Sequence, residues 1–154
     1  MNRSRLREYL LFNRNILIGF SGAFLAGAAT SQAIARFTSP PVNSLISLVI
    51  ETNVFLTIFG VLFYRDNKHR FMNEQTQVME SGRVKWVIIK LASTLSVAEI
   101  EYNTLKPIIH YWLLTLHYEA FVASTIASFI TITGYFAVAD SMAYITRLFR
   151  KKRQ

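Results

Sequence analysis

The sequence predicts an all-α membrane protein: a four-transmembrane-helix bundle with both termini in the cytoplasm. Two observations predict this class. The chain of 154 residues is 52% hydrophobic and 17% charged, whereas soluble domains average about 25% charged residues. The charges are also concentrated outside four long apolar segments, and each segment has the roughly 20 residues that cross a bilayer as a helix. A chain of this length is expected to form one domain, here a membrane domain over 1–154.

The first predicted helix covers 15–35, a segment of 21 residues with no charge. A basic start followed by an apolar segment is also typical of a cleaved signal peptide. The segment is full transmembrane length, however, so it is interpreted as a retained span. Small residues at helical spacing allow close approach of a second helix. They predict a packing face inside the bundle, or alternatively a dimer face, and they are Gly19, Gly22, Ala23 and Gly27.

The second predicted helix covers 43–64, in which the only charged residue is Glu51. Pro40 and Pro41 precede it. Because proline fixes φ and lacks a backbone donor, the pair predicts a tight non-helical turn between the first two helices.

The third predicted helix covers 86–105 and the fourth covers 120–146. The third carries three charged residues, so an amphipathic helix lying on the membrane is an alternative to a span. The fourth carries only Asp140. Pro107 is expected to end or kink the third helix. The aromatic stretch after it is expected to lie at the membrane interface.

Basic residues predict the orientation of the four spans. Fourteen of the 17 lie in the N-terminal segment, in the predicted loop 65–85 and at the C-terminus. The positive-inside rule places these three regions in the cytoplasm. Both termini lie on one side only if the number of spans is even, which agrees with four. The expected localisation is therefore the cell membrane, as a multi-pass protein.

Five ionisable residues at membrane depth form the candidate site, because charge in the hydrocarbon is costly and often functional. They are predicted to line a polar seam inside the bundle, and they are Glu51, Lys90, Glu99, Glu101 and Asp140. Lys90 and Asp140 share a predicted depth. They are expected to form an ion pair, unless Lys90 extends its ammonium to the headgroups instead.

Several function classes have no support in the sequence. It contains no nucleophile motif, no phosphate-binding glycine loop and no cysteine, so neither an enzyme, nor a catalytic residue, nor a cofactor is predicted. His110, His117 and Glu119 lack a metal-ligand spacing, so no metal is predicted. The basic clusters are explained by topology and by an anionic leaflet, so no nucleic-acid partner is expected.

The arrangement of helices resembles the GtrA-like family of small four-span membrane proteins. Phe12 followed by Ile18-Gly19 is similar to an early signature of that family, and the stretch 63–67 is similar to the cluster at the end of its second helix. The resemblance implies a role in translocation of polyprenyl-phosphate-linked sugars for surface glycan synthesis. A cytoplasmic cluster of three arginines is compatible with binding the lipid phosphate or a headgroup, and it consists of Arg14, Arg65 and Arg70.

Two other functions stay open at this point. The chain is compatible with a non-catalytic structural or assembly subunit of a larger membrane complex, in which helices of another chain satisfy its buried carboxylates. It is also compatible with an ion-coupled small transporter, because carboxylates at membrane depth often bind or relay ions. The expected partners are the lipid bilayer and either other membrane subunits or further copies of this chain.

Overall fold

Four antiparallel α-helices form a bundle in the computed structural model, which describes residues 3–72, 81–146 and 148. The side chains of residues 3–5, 69–70, 81 and 83 lie outside the described part. Helix α1 packs mainly on α2 and α3 mainly on α4, while contacts between α2 and α3 and between α1 and α4 close the ring. The helices are α1 (Arg3–Ile34), α2 (Pro40–Phe71), α3 (Ser81–Thr115) and α4 (Ala120–Ile145).

Three of the helices are long and apolar enough to cross a membrane. The spans are Leu6–Ile34 in α1, Pro40–Lys68 in α2 and Ala120–Ile145 in α4. This finding agrees with the predicted class of membrane protein. Helix α3 is the longest, at 35 residues, but its charged residues set it apart from the other three.

The structure corrects most of the predicted helix bounds. The predicted segments 43–64 and 86–105 lie within longer helices, α1 begins well before the predicted 15–35 and ends one residue before its end, and α4 ends one residue before the predicted 120–146. The predicted loop 65–85 is shortened from both sides, and residues 73–80 of it lie outside the described part. Charged residues mark where a helix leaves hydrocarbon, whereas backbone hydrogen bonding continues into water until a cap or turn ends it.

The structure also corrects the expected non-helical turn at Pro40 and Pro41 and excludes a helix end at Pro107. Pro40 occupies the first turn of α2 after the N-cap Ser39, where a missing N–H costs nothing because it has no intrahelical partner. Pro107 lies inside α3, which continues to Thr115. Transmembrane helices tolerate such a proline because neighbouring groups satisfy the freed backbone carbonyl.

His117 ends α3 through a left-handed backbone conformation, with φ of 63°. Its N–H donates to the Leu114 carbonyl at 3.1 Å, and the N–H of Tyr118 donates to the Leu113 carbonyl at 3.2 Å. These two bonds form a Schellman cap, which satisfies the last carbonyls of the helix. The reversal brings α4 back along α3.

The two ends of the bundle differ in charge. We call the end where α1 begins and α2 ends the terminal end, and the end with connections 35–39 and 116–119 the loop end. Among the described residues, the exposed charged ones at the terminal end are Arg7, Arg14, Arg65, Lys68 and Lys85, and those at the loop end are Arg36 and Glu119. The exposed surface between the two ends is uncharged, as expected of a surface that faces lipid.

Candidate functional site

A buried ion pair joins α2 to α3 in the half of the bundle nearer the loop end. The ammonium of Lys106 contacts the carboxylate of Glu51, and the two residues are 0% and 1% exposed. The sequence placed Lys106 in a connection outside the membrane. Because α3 continues through Pro107, its third turn from the end carries Lys106 into the core instead. Glu51 is at the buried depth that the sequence predicted.

Neighbouring groups hold the Glu51 carboxylate in place. The Tyr102 hydroxyl donates a hydrogen bond of 2.8 Å to Glu51 Oε2, and the Lys106 ammonium lies 5.9 Å from the centre of the Tyr102 ring. On the α1 side, a Cβ at Gly27 would overlap the carboxylate. Glycine at this position is therefore required for the carboxylate to fit between α1 and α2.

Ser31 connects all four helices at the loop end of this centre. Its hydroxyl lies 2.7 Å from Asn43 Oδ1 on α2, 3.2 Å from His110 Nε2 on α3 and 3.2 Å from the Ala120 carbonyl oxygen at the start of α4. Asn43 returns a bond from its amide to the Ser31 carbonyl at 2.9 Å. The hydroxyl has one proton to donate. The shortest of the three contacts, to Asn43 Oδ1, takes that proton.

The centre has more hydrogen-bonding capacity than its described neighbours use. Glu51 Oε1, His110 Nδ1 and the hydroxyls of Ser124 and Ser128 have no hydrogen-bond partner among the described residues. Lys106 likewise has only its ion pair with Glu51, although an ammonium carries three donors. Unmatched polar groups are rare in protein interiors and cluster at functional sites.

A second carboxylate lies close to Glu51. Glu99 accepts hydrogen bonds from the Tyr135 hydroxyl at 3.0 Å and from the Asn103 amide at 3.3 Å. It lines a narrow gap beside Glu51, in which there is no room for a water molecule. The sequence predicted that both Glu99 and Glu101 line the seam. The structure places Glu99 beside Glu51, whereas Glu101 lies against Gly134 on α4.

Asp140 and Lys90 do not form the expected ion pair. The ion pairs among described residues involve Glu51 and Asp66 as acids, and Asp140 lies beside the Tyr9 hydroxyl on α1. Helix α4 therefore turns Asp140 towards α1 rather than towards α3. Lys90 is half-buried. One turn further along α3, the Thr94 hydroxyl forms a hydrogen bond of 2.8 Å with the Thr146 hydroxyl.

Two of the three predicted phosphate-binding arginines meet at the terminal end. Arg14 Nη2 lies 2.6 Å from Asp66 Oδ2, and Arg65 Nε lies 3.7 Å from Asp66 Oδ1. The Asn15 amide donates to the same carboxylate at 2.9 Å. Asp66 therefore holds α1 and α2 together here. The side chain of Arg70 lies outside the described part.

The small residues of α1 pack within the bundle. A Cβ at Gly19 would lie 2.9 Å from the ring of Phe55, and a Cβ at Gly22 would overlap Ile58. Ala23, the other member of the predicted packing face, is 1% exposed. The small-residue face is thus covered by α2 of the same chain.

Aromatic rings fill the core between the ion pair and the terminal end. The ring centres of Phe20 and Phe55 are 4.4 Å apart, those of Phe55 and Phe59 are 5.6 Å apart and those of Phe20 and Tyr135 are 4.7 Å apart. We call these four residues the aromatic layer, and none is more than 3% exposed. The layer separates the polar centre from the polar contacts at the terminal end.

The sequence reasoning missed Lys106, His110 and Tyr102 as members of the site. Their spacing of four residues places all three on one face of a helix, so the signal was present once α3 was assumed to continue past Pro107. No three side chains of His, Asp or Glu in the described ranges come together as metal ligands. The site consists instead of one ion pair, one imidazole and several hydroxyls.

Comparison with protein-family models finds no match, and comparisons with curated proteins and with solved structures find none either.

Proposed function

We propose that the protein crosses the membrane four times, with its termini and residues 73–80 on the cytoplasmic side. The exposed residues of α3 from Trp86 to Trp112 include no charged one, and this stretch is about 40 Å long. That exceeds a hydrocarbon core of about 30 Å. Within this stretch Lys106 is buried and Lys90, Glu99 and Glu101 are half-buried, whereas a helix lying on a membrane exposes its charged residues. These observations support a fourth span.

Cysteine labelling tests this topology, because the chain contains no cysteine of its own. Lys85 and Leu116 lie near the two ends of α3, and both are exposed. In intact cells we expect an impermeant maleimide to label Leu116→Cys, and to label Lys85→Cys only after lysis. Labelling of both variants under the same condition would contradict a spanning α3.

Within this topology, we propose that the protein is an ion-coupled small transporter and that the ion is the proton. The observation that carries this proposal is the buried Lys106–Glu51 pair with its unmatched polar neighbours. An apolar pair of similar volume would stabilise a bundle as well or better, so packing does not account for these charges. Ionisable groups at membrane depth commonly form proton relays. A proton can also move from Lys106 to Glu51 without changing the net charge of the pair.

Proton flux into liposomes tests this function. The purified protein is reconstituted with an internal pH dye, and a potassium diffusion potential drives protons inward. We expect Glu51→Gln to reduce the flux about tenfold or more, because the carboxylate is the proton acceptor in the centre. Glu119→Gln, an exposed carboxyl at the loop end, is the matched control and should keep the wild-type flux. A wild-type flux equal to that of empty liposomes would refute the proposal.

A second candidate function is the handling of polyprenyl-phosphate-linked sugars, which the GtrA-like resemblance implies. The exposed side chains of Arg14 and Arg65 meet at Asp66 on the terminal end, and paired guanidinium groups bind phosphate by charge-assisted hydrogen bonds. Native mass spectrometry in nanodiscs containing a polyprenyl phosphate tests this role. We expect Arg14→Gln with Arg65→Gln to abolish retention of the lipid, and Arg36→Gln at the opposite end to preserve it. The same spectra test the assembly-subunit alternative, because the native particle would then contain other chains.

A further inference from the structure

We infer that, in the state the structure describes, the Glu51–Lys106–His110 centre is open to protons from the loop end of the bundle and closed towards the terminal end, so that transport requires a second state that opens the other way. This inference rests on the proposed proton function and adds the direction of access. Three features of the structure carry it: the groups between the centre and the loop end, the layer between the centre and the terminal end, and the distribution of titratable groups around the centre.

Polar groups continue from the centre to the loop end. His110 follows Lys106 by one helical turn and lies five residues before the end of α3, which is about 8 Å. Its Nε2 contacts the Ser31 hydroxyl at 3.2 Å, and the next residue of α1, Gln32, is exposed. An imidazole can take a proton at one ring nitrogen and release one from the other. His110 is therefore placed to pass protons between Lys106 and the loop end.

The aromatic layer closes the other direction. Phe20, Phe55, Phe59 and Tyr135 stack across the core on the terminal side of Glu51. The gap between this layer and the carboxylate has no room for a water molecule, and a proton path needs polar groups or water in sequence. The polar atom of the layer is the Tyr135 hydroxyl, which donates to Glu99 of the centre at 3.0 Å, and beyond the layer Asn15 contacts Asp66.

Titratable groups around the centre come from three helices. Helix α1 has none between Arg14 and Arg36, and α2 contributes Glu51. The groups that α3 and α4 direct at the centre are Glu99, Tyr102, Lys106, His110 and Tyr135. His110 is the member of this set nearest to the loop end. Asp140 contacts Tyr9 on the terminal side of the layer and does not face the centre.

Side-specific thiol modification tests the direction of access. Ser31→Cys is nearly isosteric and reports on the route to the centre, and Asn15→Cys reports on the region beyond the aromatic layer. Both residues are at most 1% exposed. Ag⁺ is small and binds thiolate, a soft ligand. It is applied to one side of sealed, oriented proteoliposomes, and the remaining thiol is counted with a fluorescent maleimide after solubilisation.

We expect Ag⁺ to modify Ser31→Cys about tenfold faster or more from the loop end, because water cannot pass the aromatic layer. Asn15→Cys should show the opposite preference. Adding Phe55→Ala to Ser31→Cys should raise the slow rate from the terminal end, since it opens the layer. If Ser31→Cys does not elute as a folded, monodisperse protein, His110→Cys reports on the same route.

Equal modification of the reporter cysteine from both sides, faster modification from the terminal end, or no modification from either side would overturn one-sided access. The outcome is separable from that of the proposed function. A one-sided thiol pattern without proton flux would refute the transporter and keep the access route. Proton flux together with thiol modification from both sides would keep the transporter and refute the one-sided access route.

Discussion

Replacing Lys106 with methionine isolates the energetic contribution of the buried charge. Methionine keeps most of the apolar stem of lysine, so the change removes the ammonium and little packing. Lys106 is 0% exposed and its partner Glu51 is 1% exposed, so no water replaces the lost contact. Glu51 then keeps one hydrogen bond, the 2.8 Å bond from Tyr102. An unpaired carboxylate does not stay charged in such surroundings, so Glu51 must take up a proton in the folded variant.

The free energy needed to protonate Glu51 determines how much stability the variant is expected to lose. An ordinary glutamate has a pKa of about 4.3, so protonating it at pH 7 costs about 3.7 kcal/mol. This agrees with the roughly 3–5 kcal/mol measured when one partner of a buried pair is removed. At pH 5 the same proton costs only about 1 kcal/mol. Because the folded variant binds one more proton than the unfolded chain, its stability falls as pH rises above the unfolded pKa of about 4.3.

Unfolding in mixed detergent micelles, followed by circular dichroism at pH 5 and pH 7, measures these differences. The double variant Lys106→Met with Glu51→Gln removes both charges. It should lie within about 1 kcal/mol of the wild type at both pH values, because replacing a buried pair as a unit is nearly neutral. Lys85→Met, at an exposed position near the start of α3, is the control for loss of a lysine. A loss below about 1 kcal/mol for Lys106→Met at pH 7, or an equal loss at pH 5, would refute this reasoning.

Three further predictions concern stability, each measured by the same unfolding assay. Gly27→Ala should lower the stability by about 1–3 kcal/mol, because its Cβ meets the buried carboxylate. The control Gly60→Ala, which has open space around the new Cβ, should raise the stability by about 0.5–1 kcal/mol through helix propensity. Equal effects of the two variants would contradict the packing of Gly27 against Glu51. Ser31→Ala should cost about 1–2 kcal/mol because it leaves buried partners on three helices unmatched. Ser21→Ala, which loses only a bond to its own helix on an exposed face, should change stability by less than about 0.5 kcal/mol. His117→Gly should stabilise the protein by about 1 kcal/mol, since its φ of 63° is strained for any residue with a Cβ, and a loss instead would show that the imidazole itself is needed there.

Part of the candidate site could be predicted from the sequence. Glu51 was predicted to lie inside the bundle, and the structure buries it together with Asn43 and Ser47 of the same helix. Burial followed from composition, because a charged or amide side chain in an apolar segment avoids lipid. The sequence did not predict that Lys106 pairs with Glu51. The third helix was expected to end at residue 105, just before Pro107, which leaves Lys106 outside the membrane.

The pairing of the remaining charged groups depended on helix rotation. Asp140 and Lys90 were predicted to share a depth and to form an ion pair, yet Asp140 lies beside Tyr9. One residue of rotation turns a side chain by about 100° around a helix, so depth alone leaves the partner undetermined. Glu101 was predicted to line the seam and lies against Gly134 on α4 instead, for the same reason.

The sequence by itself determined four helical segments, their antiparallel order and the uncharged surface between two charged ends. These are properties of each segment taken alone, since the cost of placing a charge in hydrocarbon depends on the residue and its depth. The tertiary structure decided which polar groups meet. It placed Lys106 against Glu51, joined four helices at Ser31 and put an aromatic layer across the core. Such contacts depend on how closely helices approach and at what rotation, and here the glycines of α1 set that approach.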